Sequence, residues 1–559
     1  PRGPARGGAG DGRKSDPAPP GDRQNPAACA FALPGGRDFA TLRCNIANRG
    51  VVVGRVDSPL GRAARDRGPA APGRPRARNT GGNMAKVQNV AAIATQLTTG
   101  YWNSSGNAPH HFAAAPGDTI TVDITALSAA EQTVARWALE AWTNATGLQF
   151  AEVASGAQIT YTNTSPGAFT NTTWWSDGST DTATVNISAT WVTDYGTTID
   201  SYLLQTYIHE TGHALGLGHP GNYDGAATYG VDNLFANESW QTTVMSYFSQ
   251  TDNTWVNASF AYTMTPMIAD IYAVHQLYGT PSSFAGDTVW GAGSNVGGYL
   301  GTLFAQMFNE APADASVYAG NDVALTIFDS GGTDTLDLSP VTASQLIDLA
   351  GGAVSDVGGL VGNLLIAVGT VIENAVGGSG ADTILGNGAA NRLEGMNGND
   401  LLKGFGARDT LLGGRGKDRI EGGGGKDTLK GGNQRDTLLG GSGNDKLLGG
   451  NGADNLKGGN GGDTLLGGKG ADKMTGGAGA DTFVFDAGRD TIRDFSTAED
   501  IVQIDSALWT GVYDAAGLVT AFGGTTAGGD AFFDFGGGNT LTFTGIADPN
   551  LLVPVIDII

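Results

Sequence analysis

A nine-residue repeat constrains the fold of this chain more than any other feature. From residue 377 to residue 484 the sequence runs through twelve consecutive blocks of the form G-G-x-G-x-D-x-L-x. The eighth position is apolar in all twelve blocks, and the sixth is aspartate in eleven of them. Six Gly-rich residues make a turn and three make a short strand that buries one apolar side chain, so two blocks complete a coil. Because one block cannot bury its apolar residue alone, the repeat predicts stacked coils in a parallel β-roll.

The aspartates of the repeat predict calcium sites. Turns one coil apart, such as those of Asp454 and Asp472, would surround each Ca²⁺ with the hard oxygen ligands that it prefers. A flexible Gly-rich linker is the alternative, but linkers carry no apolar residue in phase. The predicted calcium ligands in the repeats are Asp382, Asp400, Asp409, Asp418, Asp427, Asp436, Asp445, Asp454, Asp463, Asp472 and Asp481.

Several blocks depart from the pattern. Asn391 replaces one aspartate, and Phe405, Ala407 and Gln434 stand where glycines are expected. A side chain at a glycine position disfavours the positive φ of such a turn, so we expect these turns to bind calcium weakly or not at all.

The segment HETGHALGLGH, His209 to His219, predicts a metal site. On a helix from Tyr202 to Leu217, His209 and His213 lie one turn apart on the same face. Gly216 allows a left-handed turn that brings His219 back as a third ligand. Three imidazoles leave one tetrahedral position of Zn²⁺ open, as a catalytic site requires. A solvated His/Glu stripe is the alternative, which the placing of Gly216 and His219 disfavours.

Two further features point to peptide hydrolysis. Zinc lowers the pKa of bound water to about 7, and Glu210 is a carboxylate that can accept the proton as the oxygen attacks a carbonyl. Residues 243–247, TVMSY, match the Met-turn of the metzincins, with Met245 at its centre. Alone, Met245 would be ordinary core.

In these motifs, the chain from about residue 100 to residue 559 resembles the serralysins, secreted bacterial zinc endopeptidases with a calcium-binding β-roll (peptidase family M10B). Pro220 directly after His219, the VMSY sequence and the segment 266–270, PMIAD, carry the likeness. The resemblance implies that His209, His213 and His219 bind one zinc ion and that Glu210 is the general base. It also implies that Tyr247 is a further zinc ligand, which moves onto the substrate oxyanion.

The same resemblance implies calcium sites ahead of the repeats. The segment 329–334, DSGGTD, matches a linker site, and Glu373 is expected to join the residues that open the roll. A site at Gly286 and Thr288 is in doubt, because Phe284 stands where the family has arginine. The expected calcium residues of this region are Gly286, Thr288, Asp329, Gly331, Gly332, Asp334, Glu373, Gly378, Gly380 and Asp382.

Charge and cysteine content agree with export. Residues 1–83 carry 15 basic and 6 acidic side chains, and the remainder carries 17 basic and 49 acidic ones. An acidic surface of this kind argues against nucleic acid and anionic membranes as partners. Both cysteines, Cys29 and Cys44, lie in the first 83 residues, so calcium and zinc rather than disulfides would stabilise the rest.

The expected architecture is an α/β metzincin protease domain followed by an all-β parallel β-roll. Residues 1–83 are expected to be disordered, either as sequence upstream of a true start at Met84, as a pro-segment or as a basic anchoring arm. Residues 84–280 form the catalytic domain, 281–376 strands that enter the roll, 377–484 the roll, and 485–559 a β cap with a C-terminal secretion signal. In the catalytic domain we expect a capped helix from Ser128 and strands at 119–124, 149–153, 158–163 and 184–192, the last at the cleft edge.

The expected partners are protein or peptide substrates, a type I exporter and a periplasmic or host protease inhibitor, with the protein acting outside the cell as a monomer. No segment resembles a signal peptide or reaches the length of a membrane span. Two alternatives remain: a calcium-roll adhesin or lipase with a degenerate protease domain, and a metzincin of another family. The intact histidine motif and Met-turn oppose the first, and Pro220 with the roll opposes the second.

Overall fold

The computed structural model describes residues 28–30 and 88–559. The predicted disorder of residues 1–83 therefore lies outside the described residues, apart from a three-residue strand at Ala28–Ala30. Within the described ranges, none of the helices combines the length and the apolar character that crossing a bilayer requires.

The helices lie mostly in the first half of the described chain. They are α1 Val90–Thr95, α2 Tyr101–Ser105, α3 Ala129–Thr146, α4 Thr190–Tyr195, α5 Tyr202–Ala214, α6 Ile268–Tyr278, α7 Gly298–Met307 and α8 Ala515–Phe522. A π-helical turn, Gln96–Gly100, joins α1 to α2, and 3-10 turns occupy Ser506–Leu508 and Pro549–Val555.

The strands fall into two groups. Up to the start of the repeats they are β1 Ala28–Ala30, β2 Thr119–Asp123, β3 Gln149–Glu152, β4 Ile159–Thr162, β5 Ala168–Trp174, β6 Thr180–Ile187, β7 Tyr262–Thr263, β8 Val289–Gly291, β9 Val323–Ile327, β10 Thr335–Asp337, β11 Leu346–Asp348, β12 Val354–Ser355, β13 Leu364–Ile366 and β14 Asn374–Val376. From there on they are β15 Thr383–Leu385, β16 Arg392–Asn397, β17 Leu401–Gly406, β18 Thr410–Arg415, β19 Arg419–Gly424, β20 Thr428–Asn433, β21 Thr437–Ser442, β22 Lys446–Gly452, β23 Asn455–Asn460, β24 Thr464–Gly470, β25 Lys473–Ala478, β26 Thr482–Phe485, β27 Arg489–Ile492, β28 Ile501–Ile504, β29 Gly523–Thr525, β30 Ala531–Gly536, β31 Asn539–Phe543 and β32 Ile556–Ile558.

The catalytic part contains a mixed sheet with the order β1-β5-β6-β4-β2-β3. Strands β2, β3, β4 and β6 are parallel, whereas β5 runs antiparallel to β6 and to β1. The expectation that residues 184–192 form the strand at the cleft edge is wrong. That stretch divides between β6, which lies inside the sheet, and α4, and the strand next to the edge is β5.

Helices α3 and α5 pack together and hold the core of the catalytic part. The predicted capping box is present, because Ser128 N–H donates to Glu131 Oε2 (2.8 Å) and Glu131 N–H to Ser128 Oγ (3.4 Å). The indole N–H of Trp142 on α3 donates to the carbonyl of Ile208 on α5 at 2.9 Å. Burial of both helices fixes α5, the carrier of the histidine motif, against the sheet.

The predicted β-roll is confirmed. The roll consists of two eleven-stranded sheets, one from β8 to β32 and the other from β11 to β29. Within the repeats each strand pairs in parallel with the strand 18 residues away, as Leu429 with Leu447, whereas β30 near the end of the second sheet pairs antiparallel with β29 and β31. The eighth-position side chains from Ile384 to Phe483 are all fully buried between the sheets. Each coil buries its apolar residues against those of its neighbours, and this contact stabilises the stack.

The irregular blocks keep the turn that their side chains disfavour. Phe405, Ala407 and Gln434 have φ values of 76°, 75° and 77°, and Met396, at a further glycine position, has 73°. The coil geometry therefore imposes a left-handed conformation on these residues at an energetic cost, instead of being disrupted by them.

Candidate metal centre and active site

The end of α5 sets the geometry of the metal site. The helix stops at Ala214, three residues before the predicted Leu217. Gly216 has φ +98°, and a Cβ there would lie 2.3 Å from the carbonyl oxygen of His110. Only glycine fits this reversal, which returns the chain so that His219 faces α5 as predicted.

The three histidines converge with their ring nitrogens aligned for metal binding. Their Nδ1 atoms lie 2.8, 2.7 and 2.9 Å from the backbone carbonyls of Val244, Leu217 and Tyr223, respectively. A carbonyl only accepts, so each Nδ1 carries the proton and each Nε2 is left with a lone pair. The Nε2 atoms of His209 and His213 are 3.1 Å apart.

The burial of these rings keeps them neutral, and neutral imidazoles can bind a metal cation. One ligand atom of each histidine lies within 4.8 Å of the ligand atoms of the other two. Among residues 88–559, this is the one group of three or more His, Cys, Asp or Glu side chains with such close ligand atoms. The Nε2 of His219 is buried with no hydrogen-bond partner. Desolvation lowers the pKa of His213 to about 4 and those of His209 and His219 well below the usual value, which keeps all three neutral. Three neutral imidazoles whose Nε2 atoms carry lone pairs fit Zn²⁺.

Glu210 lies beside the cluster, completely buried. Its Oε2 accepts a 2.8 Å hydrogen bond from the hydroxyl of Thr170, and its Oε1 has no partner. Desolvation raises the pKa of the Glu210 carboxyl well above its usual range. Sequence reasoning missed Thr170, which lies on β5. The sequence of that strand, AFTNTTW, has no alternation of apolar and polar residues that could have indicated it.

The Met-turn is fixed by Asp270 on α6. The Asp270 carboxylate accepts from the hydroxyl of Thr243 and from the backbone N–H groups of Val244 and Met267 (2.7 and 2.8 Å). The carbonyl oxygen of Val244 in turn accepts a hydrogen bond from His209. Asp270 therefore helps to orient His209, a predicted metal ligand, by fixing the position of Val244. Desolvation raises its pKa to about 7.

Met245 of that turn contacts α5, and Tyr247 contacts the histidines. A Cβ on Gly212 of α5 would lie 2.7 Å from Met245 Sδ, so the methionine packs directly under the helix. The Tyr247 ring is 4.5 Å from the ring of His219, centroid to centroid, and its hydroxyl accepts from Gly225 N–H at 3.3 Å. The structure thus brings Tyr247 to the three histidines. The remaining histidines lie outside this cluster: His110 is buried, bonded to Thr172 and stacked on Trp174.

The predicted calcium ligands of the repeats form two columns. Each aspartate N–H donates to Oδ1 of the aspartate one coil later, as from Asp454 to Asp472 (2.7 Å). The Oδ2 atoms from Asp400 to Asp490 are buried without partners. Desolvation raises the pKa of Asp400 to about 8 and that of Asp436 to about 7. Stacked carboxylates with unsatisfied oxygens fit bound cations, and oxygen ligands of this kind suit Ca²⁺.

Comparisons with known proteins agree with this arrangement. The family model described as the C-terminal domain of peptidase M10 serralysin matches residues 285–547. Metallopeptidase AprA of Pseudomonas marginalis is 36% identical over 282 residues, and serralysin B of Dickeya chrysanthemi is 34% identical over 320 residues. Serralysin of Photorhabdus luminescens is 39% identical over 205 residues. The chain is thus similar to the serralysin family over these regions.

These matches cover part of each protein. The alignments take in 48, 53 and 35% of this chain and 56, 60 and 38% of the three relatives, so the chain spans about half the length of the serralysins it matches. A solved structure, extracellular lipase LipA from Serratia marcescens, aligns over 34% of this chain and 40% of its own at 18% identity, with a TM-score of 0.19.

The predicted calcium residues of the linker also come together. Thr288 N–H donates to Asp334 Oδ1 (2.8 Å), the Thr288 hydroxyl to Gly286 O (2.9 Å), and Gly331 N–H to Asp329 Oδ1 (3.0 Å). A Cβ on Gly332 would lie 2.5 Å from Gly286 O. Asp334 Oδ2 is buried without a partner, so this group also offers oxygen to a cation.

Glu373 belongs to that linker group. Its Oε2 accepts from Asp334 N–H at 2.8 Å, whereas the carboxylate of Asp382 accepts from Gly378 and Gln345. The carboxylate of Glu373 therefore lies with Asp334, apart from the bonded pair of Gly378 and Asp382 with which it is expected to form a site. The reason is that β14, directly after Glu373, pairs with β10, whereas Asp382 precedes β15 in the other sheet.

Proposed function

We propose that this protein is a zinc-dependent endopeptidase that cleaves peptide bonds of extracellular proteins. One observation carries the proposal. Three buried imidazoles direct one ring nitrogen each to a common point, and the unpartnered Oε1 of Glu210 lies in the same buried region. A structural zinc site would have four protein ligands and would need no buried carboxylate beside it.

Each residue of the site has a distinct proposed role in peptide hydrolysis. His209, His213 and His219 hold the zinc ion, which acidifies water and polarises a carbonyl when it is bound. Glu210 takes a proton on Oε1 and returns it to the leaving amine, while Thr170 holds the other carboxylate oxygen. Tyr247 donates its phenol hydrogen to the oxygen on which negative charge develops.

The substrate is proposed to bind as an extended peptide along β5. This strand lies beside Glu210, and its outer edge pairs antiparallel with Ala28–Ala30, Cys29 opposite Thr170. The backbone of β5 can therefore accept an added strand, which is the β-augmentation mode of peptide recognition. Main-chain pairing of this type would place a scissile bond over the histidines without requiring a particular side chain.

The roll is proposed to fold when calcium binds. Aligned buried carboxylates repel one another until a cation lies between them, so the chain would remain unfolded at low calcium and fold after export. A type I exporter, a monomeric extracellular enzyme and a protease inhibitor as a binding partner complete this proposal, in keeping with the serralysin family.

The experiment is hydrolysis of a denatured protein by the wild type and by Glu210→Gln. The amide cannot accept the proton but leaves the histidines in place. We expect the variant to retain its zinc content and to lose at least about 100-fold in activity. Retention of wild-type activity at full zinc content would refute the role of Glu210, and the absence of peptide hydrolysis by the zinc-loaded wild type would refute the proposed function.

A further inference from the structure

Charge is distributed very unevenly in this protein. Residues 88–376 contain one basic residue, Arg136, and 25 acidic ones, whereas residues 377–484 contain 13 of each. Eleven of the 13 acidic residues in the roll are the aspartates of the two columns, and all eleven are buried. Of the 13 basic residues, 12 are exposed, and Lys403 is half-buried.

The surface of the roll is therefore cationic. Once calcium neutralises the buried aspartates, the acidic side chains left in this segment are Glu394 and Glu421. Glu394 pairs with Arg392 (2.7 Å), and Glu421 pairs with Lys403 and Arg419 (3.0 and 2.6 Å). The other basic side chains of the roll have no acidic neighbour within the segment to offset them, and they lie on an otherwise acidic protein.

A groove of about 730 Å³ gathers part of this charge on the outer face of the first roll sheet, across β16, β18, β20, β22 and β24. Two columns of side chains line it, each in register along the parallel strands. One column is polar: Asn397, Arg415, Asn433, Asn451 and Lys469. The other column begins at Glu394, which pairs with Arg392, and continues with Leu412, Lys430, Leu448 and Leu466. Asp486 also lines the groove and interacts electrostatically with Lys469.

The columns repeat at the spacing of the strands, about 4.8 Å, so the groove extends for about 19 Å. A hydrogen-bond donor stands on every strand, and Asn451 Nδ2 donates to Asn433 Oδ1 at 2.9 Å, which orders the row. A linear ligand with acidic groups and hydroxyls at short, regular intervals matches this row. Single-stranded nucleic acids are held by stacking on aromatic rings, and no aromatic residue lines the groove.

We propose that the calcium-loaded roll binds an extended anionic polysaccharide in this groove. The guanidinium and ammonium groups of Arg415, Lys430 and Lys469 pair with its carboxylates or sulfates, and the asparagine amides bind its hydroxyls. The leucine column covers the apolar faces of the sugar rings. This role goes beyond peptide hydrolysis: it would hold the enzyme on a charged glycan surface while the acidic catalytic part stays away from it.

The test is calorimetric titration of the full-length protein in saturating calcium with a dextran sulfate oligosaccharide and with neutral dextran of the same length. The groove variant R415Q/K430Q/K469Q is compared with K426Q/K457Q/K473Q, which removes the same charge outside the groove. We expect the groove variant to bind dextran sulfate at least about tenfold more weakly, with a salt-dependence slope smaller by about two. The control should change less than about twofold, and neutral dextran should not bind.

Equal weakening by both variants would overturn the proposal in favour of diffuse attraction to the whole roll. Tighter binding of single-stranded DNA with the same dependence on the groove would replace the polysaccharide with a nucleic acid. The single variant Lys469→Gln, expected to lose about threefold, repeats the test with one exposed substitution. Peptide hydrolysis measured on the same samples should be unchanged, so failure here is distinct from failure of the proposed protease function.

Discussion

Replacing Thr170 by valine tests the arrangement around the proposed general base. Valine keeps the β-branched shape of threonine on β5 and removes only the hydroxyl. That hydroxyl lies 2.8 Å from both Glu210 Oε2 and the Glu210 carbonyl oxygen. In the variant, a fully buried carboxylate oxygen loses its donor, and Glu210 is free to rotate away from the position that Oε1 now holds.

A hydrogen bond to a charged group contributes about 1.5 to 3 kcal/mol. With about 1.4 kcal/mol for each factor of ten in rate, loss of this bond should lower kcat by about 10- to 150-fold. KM should change by less than about twofold, because the Thr170 side chain faces α5 and the substrate is proposed to pair with the backbone of β5.

The assay is steady-state hydrolysis of a fluorogenic peptide, with zinc content measured on the same samples. Thr170→Ser is the matched control, since it keeps the hydroxyl and loses the methyl group, and it should recover most of the wild-type kcat. If Thr170 acted through packing alone, the order would reverse: Val would retain kcat and Ser would be the impaired variant. That result would refute the reasoning.

Three further predictions concern the oxyanion, the turn after α5 and the roll. Tyr247→Phe should lower kcat more than it raises KM in the same assay, and an unchanged kcat would reduce Tyr247 to a metal ligand of the resting site. Gly216→Ala should lower Tm and zinc affinity because its Cβ meets His110 O, whereas Gly156→Ala, also at positive φ but in open space, should cost only about 1 to 2 kcal/mol by chemical denaturation. Equal losses would contradict the argument. In EDTA, the strand signal in circular dichroism should be strong at pH 5 and fall by pH 8. Burial raises the pKa of Asp436 to about 7 and that of Asp400 to about 8. The stability of the folded roll that comes from the protonated carboxyls is therefore full below the unfolded pKa of about 4 and is lost as pH rises through these values. An equal signal at both pH values would be inconsistent with destabilisation of the roll by the buried, ionised aspartates within each column.

Features with a strict spacing could be predicted from the sequence. The apolar residue at every eighth position of the repeat specifies an inward-facing column, and each of these side chains is fully buried. The spacing of His209, His213, Gly216 and His219 likewise predicts a helix and a reversal, because both depend on local backbone geometry. The helix end was misplaced by three residues, since Leu215 and Leu217 are buried after the helix has stopped and so extend its apolar pattern.

Features that depend on tertiary contacts were missed. Strand β5 reads AFTNTTW, in which threonines occupy buried positions, so no alternation of apolar and polar residues marks it as a strand. The bonds from Thr170 to Glu210 and from Asp270 to the Met-turn join residues 40 and 27 positions apart. The resemblance groups Glu373 with Asp382, whereas the parallel pairing of β14 with β10 brings Glu373 to Asp334.

Metal titration of the metal-free protein tests the central claim most directly. The protein is stripped with a chelator, returned to calcium, and titrated with zinc while bound metal and hydrolysis of a peptide are followed together. We predict that activity is absent without zinc and rises to its limit at one zinc per chain, and that His213→Ala at the same calcium concentration neither binds this zinc tightly nor cleaves the peptide. Full hydrolysis by the zinc-free protein, or tight stoichiometric zinc binding by His213→Ala, would contradict the account.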